Sequence, residues 1–392
     1  MQTRQRSSTM LAPPAAVGTF ECRTDIELGT VVQPGAKGIA VDDSTLRWCA
    51  NHIPGHWPNA PSDGSPMTSI RLFKAWDPQW EGDWDGAREH AFNNLRRYAE
   101  ATNARVMIGT PVSCSEEDDE KLWSWTKELL KVLGTKHVMG VAIGNEVELL
   151  QFKGEERGVS EECVAKVWDG GYLWQRFQHV VSEMDDMGFS DMPVTSVFTG
   201  YGLTGAPFLE IKGRALVNTF LQNATAKYGK RFAFTWNLYP YFDPNLPLDP
   251  NATDKCAGAL KATACLGENC HMPIQARQAR IKMTELTGRK DDVLWIGETG
   301  WSHPRSGSLT TVLKDCPAWS SMETFKDYYR QFLDWDLSIG GGVKAPDHVF
   351  WFTMRESNNF GDSEHFGLMS TCTSPECTVR SEGWVAQHYE QK

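Results

Sequence analysis

Short apolar runs bounded by turn residues recur along this chain: Gly38–Val41, Ser69–Phe73, Arg105–Gly109, Val138–Ile143, Pro193–Phe198, Phe232–Leu238, Val293–Ile296 and His348–Thr353. Runs of this length, framed in this way, predict strands. Between them the apolar positions change to a helical period. Ala87, Ala91, Leu95 and Tyr98 share one helix face, as do Leu122, Trp125, Leu129, Val132 and Leu133. Ser115 is placed to cap the second of these helices and Gly134 to stop it. Leu173, Phe177, Val180, Met184 and Met187 mark another helix, closed by Gly188, and Gln275–Thr287 precedes Gly288. Ser320 and Glu323 have capping-box spacing ahead of Phe325–Leu337. Eight strand candidates thus alternate with helical segments. That predicts α/β architecture with a parallel sheet closed into a (β/α)8 TIM barrel, an open doubly wound sheet being the rival.

Residues 1–34 carry Pro, Ser, Thr and Arg without periodicity and read as an N-terminal tail or wrap, which leaves 35–392 as one barrel domain. The stretch from Phe242 to Pro273, rich in Pro, Asn and Cys, reads as a long loop excursion after the sixth strand, partly pinned by disulfides. No internal repeat or low-complexity segment is evident. A length of 392 residues suits a barrel, which routinely exceeds the usual domain size.

Charge and cysteine usage narrow the class. The net charge of −11 argues against nucleic acid and anionic membrane surfaces as partners, since both are met by Lys and Arg. No apolar run approaches the ~18 residues of a transmembrane helix. A neutral substrate and a monomer are the expectation. Ten cysteines, with Cys265/Cys270 and Cys372/Cys377 as local pairs, lean toward an oxidising, secretory or extracellular location. The sequons at Asn223-Ala-Thr225 and Asn251-Ala-Thr253 lean the same way. The opening twenty residues lack the apolar stretch of a signal peptide and lend that expectation nothing. Sixteen Trp, 18 Phe and 9 Tyr exceed ordinary core needs. Flat ring faces suit the C–H face of a pyranose, although core packing is the commoner use of any one Trp.

Two strand candidates end in glutamate: Val141-Ala-Ile-Gly-Asn-Glu146 and Leu294-Trp-Ile-Gly-Glu298. Barrel active sites sit at the C-terminal ends of the strands, so both carboxylates are aimed at the mouth. They belong to the fourth and seventh strands, three apart round a ring of eight, and can face each other. Alternation along a strand predicts Gly144 and Ala142 on the axis below Glu146, and Ile296 and Leu294 on the axis below Glu298. A lone strand-end Glu is most often a surface ion-pair partner. Two of them, each behind Gly or Gly-Asn, point to chemistry that needs a carboxylic acid and a carboxylate together. Glycoside cleavage is that chemistry: one group protonates the departing oxygen while the other attacks C1. An ionised Glu298 would keep Glu146 protonated, because a second negative charge alongside is costly. A carboxyl separation of about 5–5.5 Å would fit retention of configuration, and about 6.5–9.5 Å inversion.

Gly144-Asn145-Glu146 and Gly297-Glu298-Thr299-Gly300-Trp301 resemble the acid/base and nucleophile signatures of glycoside hydrolase family 17. Asn237-Leu-Tyr-Pro-Tyr-Phe242 resembles that family's strand-6 motif, Ile70-Arg-Leu-Phe73 its strand 2, and Glu364-His-Phe-Gly-Leu368 its closing motif after strand 8. The matches run in the family's order from about residue 36 to 370. The resemblance implies a retaining endo-β-1,3-glucanase acting on β-glucan, with Glu298 as nucleophile and Glu146 as acid/base. It implies that Asn145 meets the sugar 2-hydroxyl, that Tyr239 steadies the nucleophile, and that Trp301 walls the sugar site. Phe73 and Glu356 complete the substrate-binding set. Departures fall on the subsites. Phe73-Lys74 stands where the family often has Tyr-Asp, Met354-Arg355-Glu356 where it has Phe-Asn-Glu, and Ser302-His303 separates Trp301 from Pro304. No metal or other cofactor is implied, since two carboxylates suffice. A β-1,3-glucan transglycosylase would use the same residues, and a non-catalytic glucan-binding or wall protein could use the same barrel.

Three other signals carry less. Gly200-Tyr-Gly-Leu-Thr-Gly205 spells a dinucleotide-binding pattern, but Ala206-Pro207 follows it and it lies far from the first βα turn, so a loop is the plainer reading. Cys256, Cys265, Cys270 and His271 lack the C-x2-C spacing of zinc sites, which favours disulfides. Neither H-E-x-x-H nor Gly-x-Ser-x-Gly occurs.

Overall fold

The computed structural model describes residues 31–41, 45–46, 53, 55–57, 65–78, 86–150, 159–210, 216–240, 253–302, 316–355 and 366–368. Glu356, Phe242, Asn251, the Cys372/Cys377 pair, residues 1–30 of the expected tail, and Glu364 of the closing motif lie outside them.

Eight strands close into a barrel in sequence order: β1 (Lys37–Val41), β2 (Ser69–Leu72), β3 (Arg105–Thr110), β4 (Val138–Asn145), β5 (Val194–Thr199), β6 (Phe234–Asn237), β7 (Leu294–Thr299) and β8 (His348–Trp351). Every neighbouring pair is parallel, and β1 also pairs with β8 to complete the ring. This is the (β/α)8 TIM barrel. Each expected strand lies within a few residues of its observed position.

The helices among the described residues are α1 (Ala87–Thr102), α2 (Glu116–His137), α3 (Glu161–Trp168), α4 (Tyr172–Asp186), α5 (Val217–Tyr228), α6 (Lys255–Thr263), α7 (His271–Thr287) and α8 (Met322–Asp334). Ser115 caps α2 by accepting from the N–H of Asp118, and Gly134 interrupts that helix with φ 66°. The cap of α8 is Ser321, which accepts from the N–H of Thr324. The expected Ser320 cap is thus one residue off, because either serine fits the local pattern and the tertiary path chooses between them. Helix α7 begins a turn earlier than Gln275. Within the excursion after β6, α6 and the start of α7 are ordered helix, and disulfides Cys265–Cys270 and Cys256–Cys316 hold the segment, the second tying it to the loop after β7. Cys114–Cys163 joins the β3–α2 loop to α3. Gly200–Leu203 is a short 3-10 turn after β5, a loop as read from sequence.

Strand side chains divide between two packing layers. Met107, Met139, Ala142, Val197, Ala233, Trp295 and Phe350 fill the barrel interior as one cluster. Val141, Ile143, Leu294 and Ile296 belong to the other layer, against helix residues such as Leu129, Leu133, Phe177 and Tyr328. Fully burying one such aliphatic side chain contributes about 1.5–3 kcal/mol, so both layers are strongly specified.

Simple alternation fails in the two strands that matter. On β4, Ala142 pairs with Thr195 but Asn145 with Val197, three steps against two. On β7, Ile296 pairs with Trp236 but Glu298 with Asn237, two steps against one. Each strand carries an extra residue, a bulge of the kind found beside active sites. The expectation that Leu294 and Ile296 lie below Glu298 is therefore wrong: Trp295 lies inside the barrel and those two face the helices. Ala142 does face the axis, but Gly144 does not. A Cβ there would meet Val147 at 2.9 Å and Leu173 of α4 at 3.4 Å. The bulges return Asn145, Glu146 and Glu298 to the mouth.

Candidate active site

Three strand ends converge on one amide. The Nδ2 of Asn237, the last residue of β6, donates to Glu146 Oε1 at 2.8 Å and to Glu298 Oε1 at 2.7 Å. Two oxygens that both lie within 2.8 Å of a single nitrogen are separated by no more than about twice that, or 5.6 Å. Glu146 and Glu298 therefore share one site, as the motif spacing predicts.

Their surroundings differ. Glu298 is 6% exposed. Arg71 of β2 donates from Nη1 to Glu298 Oε1 at 2.9 Å, and Tyr239 donates its hydroxyl to Oε2 at 2.7 Å. With Asn237, three donors, one of them cationic, face this group. That is the environment of a carboxylate anion, held in one orientation by charge-assisted bonds. Glu146 is half-buried at the mouth. Its backbone is left-handed, with φ 53° and ψ 34°, a conformation that costs a non-glycine residue about 1 kcal/mol or more and clusters at functional sites.

Arg71 organises the rest. Nη1 also donates to Asn237 Oδ1 at 2.9 Å, and Nη2 to Asn145 Oδ1 at 2.7 Å. The guanidinium is 2% exposed and lies 4.5 Å from the Phe73 ring centroid. A charge buried on a strand must be paired, and here the partner is Glu298. Neither Arg71 nor Asn237 carried a role in the sequence reading. The available signals were an arginine between Ile70 and Leu72 in β2 and an asparagine ending β6.

Gly297 makes the convergence possible. A Cβ on it would stand 2.8 Å from Arg71 Nη1, 2.8 Å from Asn237 Oδ1 and 3.0 Å from Thr235. The missing side chain of the glycine before Glu298 is the space the guanidinium occupies.

Beside the pair lies a pocket of about 220 Å³, lined among others by Arg71, Phe73, Lys74, Pro111, Val112 and Asn145. Lys74 pairs with Asp77 there. Phe73 packs edge-on against Phe352 at 5.8 Å, and Tyr239 contacts Phe352 and Phe366 at 6.2 and 5.4 Å. Trp301 is elsewhere. It is wholly buried, its indole N–H donates to Trp319 O, and its ring packs on Trp319 and Tyr328. The expectation that it walls the sugar site is corrected, because a wholly buried ring has no face for a sugar; the aromatic side chains described near the carboxylates are Phe73, Tyr239, Phe352 and Phe366. Glu356 lies outside the described residues.

No protein-family model matches the sequence, and no curated protein matches it. Solved structures do. The fold is similar to that of a β-glucosidase from Exiguobacterium marinum, with TM-score 0.50 and 13% identity over 91% of this chain and 98% of that one. It also matches one of two plant β-glucan endohydrolases with distinct substrate specificities, with TM-score 0.48 and 14% identity over 80% and 90%. A Rhizomucor miehei β-1,3-glucanosyltransferase mutant in complex with laminaritriose gives 0.41 and 13% over 81% and 87%. Identities this low speak to the barrel fold alone. Among the described residues no helix is long and apolar enough to cross a membrane, and no group of His, Cys, Asp or Glu gathers that could hold a metal ion.

Proposed function

We propose that this chain is a retaining β-glycoside hydrolase that cleaves β-1,3-glucan internally, with Glu298 as nucleophile and Glu146 as acid/base. The observation that carries this reading is the single Asn237 amide donating to both carboxylates. It keeps the two bonded oxygens within about 5.6 Å of each other, which supports the short ~5–5.5 Å carboxyl spacing of retaining enzymes over the ~6.5–9.5 Å of inverting ones.

In the first step Glu298 attacks C1 of the sugar while Glu146 passes its proton to the departing oxygen. Arg71, Asn237 and Tyr239 hold the attacking carboxylate in line and limit its motion. The glycosyl ester neutralises Glu298. Glu146, now ionised, takes a proton from water as that water attacks C1, and Glu298 leaves as carboxylate. Asn145 has its carbonyl oxygen bound to Arg71, and its amide nitrogen would be the donor to the 2-hydroxyl. Phe73 and Tyr239 offer ring surface to the sugar. The β-1,3 linkage and the β-glucan substrate rest on the sequence resemblance to glycoside hydrolase family 17, and the disulfides fit a secreted enzyme.

Glu298→Gly is expected to abolish hydrolysis of laminari-oligosaccharides. Azide, entering the space the carboxylate leaves, should then restore turnover on an activated dinitrophenyl β-glycoside by displacing dinitrophenolate, and give an α-glycosyl azide, a product of inverted anomer. Hydrolysis at the parent rate in that variant would sink the assignment. Products longer than the donor would indicate transfer to sugar in place of water.

A further inference from the structure

One buried carboxyl has no part in the chemistry above. Glu148 stands two residues beyond Glu146, in the 3-10 turn Val147–Leu149, and is 0% exposed. Its Oε1 accepts from the backbone N–H of Thr199 at 2.5 Å and from the Thr199 hydroxyl at 2.8 Å. Its Oε2 is buried with no hydrogen-bond partner. Burying a carboxyl with one oxygen unpaired costs stability, and such a group calls for an explanation. Burial first, and then the neighbouring Glu146 charge, push the Glu148 carboxyl up to about 8 against the lowering effect of Thr199. It is thus a neutral acid through most of the pH range in which glycosidases work.

What it fastens is the chain on either side of the proton donor. Glu146 sits at a left-handed turn directly after the β4 bulge, a conformation its own side chain does not favour. Three ties fix that turn, two of them to β5. The Glu146 N–H donates to Val197 O at 2.8 Å, the Leu149 N–H donates back to Glu146 O at 3.0 Å, and the Glu148 side chain clasps the end of β5 at Thr199. The first two are backbone bonds that any sequence could make. The third is specific to this residue.

We propose that Glu148 is a positioning residue for the acid/base: its latch on Thr199 fixes the left-handed turn at Glu146 and so aims the Glu146 carboxyl at the glycosidic oxygen. This rests on the reading of Glu146 as proton donor. Displacing Glu146 slows the step that needs its proton and spares the step that does not.

The test is leaving-group dependence. The variants Glu146→Ala, Glu148→Ala, Glu148→Gln and Thr199→Val are assayed on dinitrophenyl and phenyl β-laminaribiosides, with and without azide. Dinitrophenolate departs without protonation, whereas phenolate needs an acid. Glu146→Ala is expected to lose the phenyl substrate almost completely, to retain glycosylation by the dinitrophenyl substrate, and to be accelerated by azide. Glu148→Ala is expected to follow the same direction more weakly. It should lose about tenfold on the phenyl substrate and less than twofold on the dinitrophenyl substrate, with azide acceleration. Glu148→Gln keeps an oxygen for Thr199 and should stay close to the parent. Thr199→Val, which removes one of the two donors, should show the selectivity in smaller degree and decides the matter if Glu148→Ala is recovered unfolded. Equal loss on both substrates, or none, in Glu148→Ala and Thr199→Val would overturn the positioning role. Absence of selectivity in Glu146→Ala would instead overturn the acid/base reading itself.

Discussion

Replacing Gly297 with alanine places one methyl group where the site has no room for it. The new Cβ would lie 2.8 Å from both Arg71 Nη1 and Asn237 Oδ1, while ordinary contact begins at 3.4 Å. Each must withdraw by the difference between those figures, about 0.6 Å. The same two atoms are bonded to each other at 2.9 Å, and Nη1 to Glu298 at 2.9 Å. Withdrawal stretches these bonds toward ~3.5 Å, beyond the range in which they hold. A hydrogen bond to a charged group contributes about 1.5–3 kcal/mol, and each ~1.4 kcal/mol lost from the transition state is tenfold in rate. Gly297→Ala is therefore expected to lower kcat/KM on laminaripentaose by about 10- to 100-fold. Overpacking should lower unfolding stability by about 1–3 kcal/mol. Reducing-end release measures the first, and thermal unfolding followed by circular dichroism the second. A well-folded Gly297→Ala protein with kcat/KM within about twofold of the parent would refute the reasoning, since Arg71 and Asn237 would then be free to retreat without consequence for Glu298.

Tyr239→Phe removes the 2.7 Å bond to Glu298 Oε2 and is expected to reduce kcat about tenfold with the fold unchanged; an unaltered kcat would deny Tyr239 its proposed part in holding Glu298. His348 is buried, donates from Nε2 to Ser69 Oγ, whose own proton goes to Lys37 O, and is depressed to about 3 by burial and then by Arg105. The folded protein keeps this imidazole neutral while the unfolded chain binds a proton below its ordinary 6.5. Stability is thus complete above about pH 6.5 and falls as the pH drops toward 3, by about 3 kcal/mol at pH 4. Melting temperature against pH should show this acid limb, and His348→Gln should flatten it; parallel limbs would exclude His348 as the cause. Cys256 and Cys316 close a loop of 60 residues, so removing both by Cys256→Ser and Cys316→Ser is expected to cost ~4 kcal/mol, read as a lowered denaturation midpoint. No change would mean that the excursion after β6 is held by other contacts.

The sequence alone determined the alternation of eight strands and their helices, and it placed Glu146 and Glu298 at strand ends. These are properties of short windows. A run of apolar residues between turn formers is a strand wherever it lies, and Gly-Asn-Glu or Gly-Glu at its end can be read without knowing its neighbours. What the tertiary structure decided depends on pairing across the ring. The extra residues in β4 and β7 exist only relative to β5, β6 and β8, so simple alternation placed Ile296 on the axis where Trp295 belongs. Arg71 and Asn237 lie 166 positions apart along the chain and acquire a shared role only when β2 and β6 face each other. Trp301 follows Glu298 by three residues, yet it is buried, with its ring packed on Trp319 and Tyr328. Local pattern sets which element each segment becomes, because that preference is settled within a few residues. Barrel closure sets which side chains meet, because register belongs to pairs of strands and cannot be read from either one.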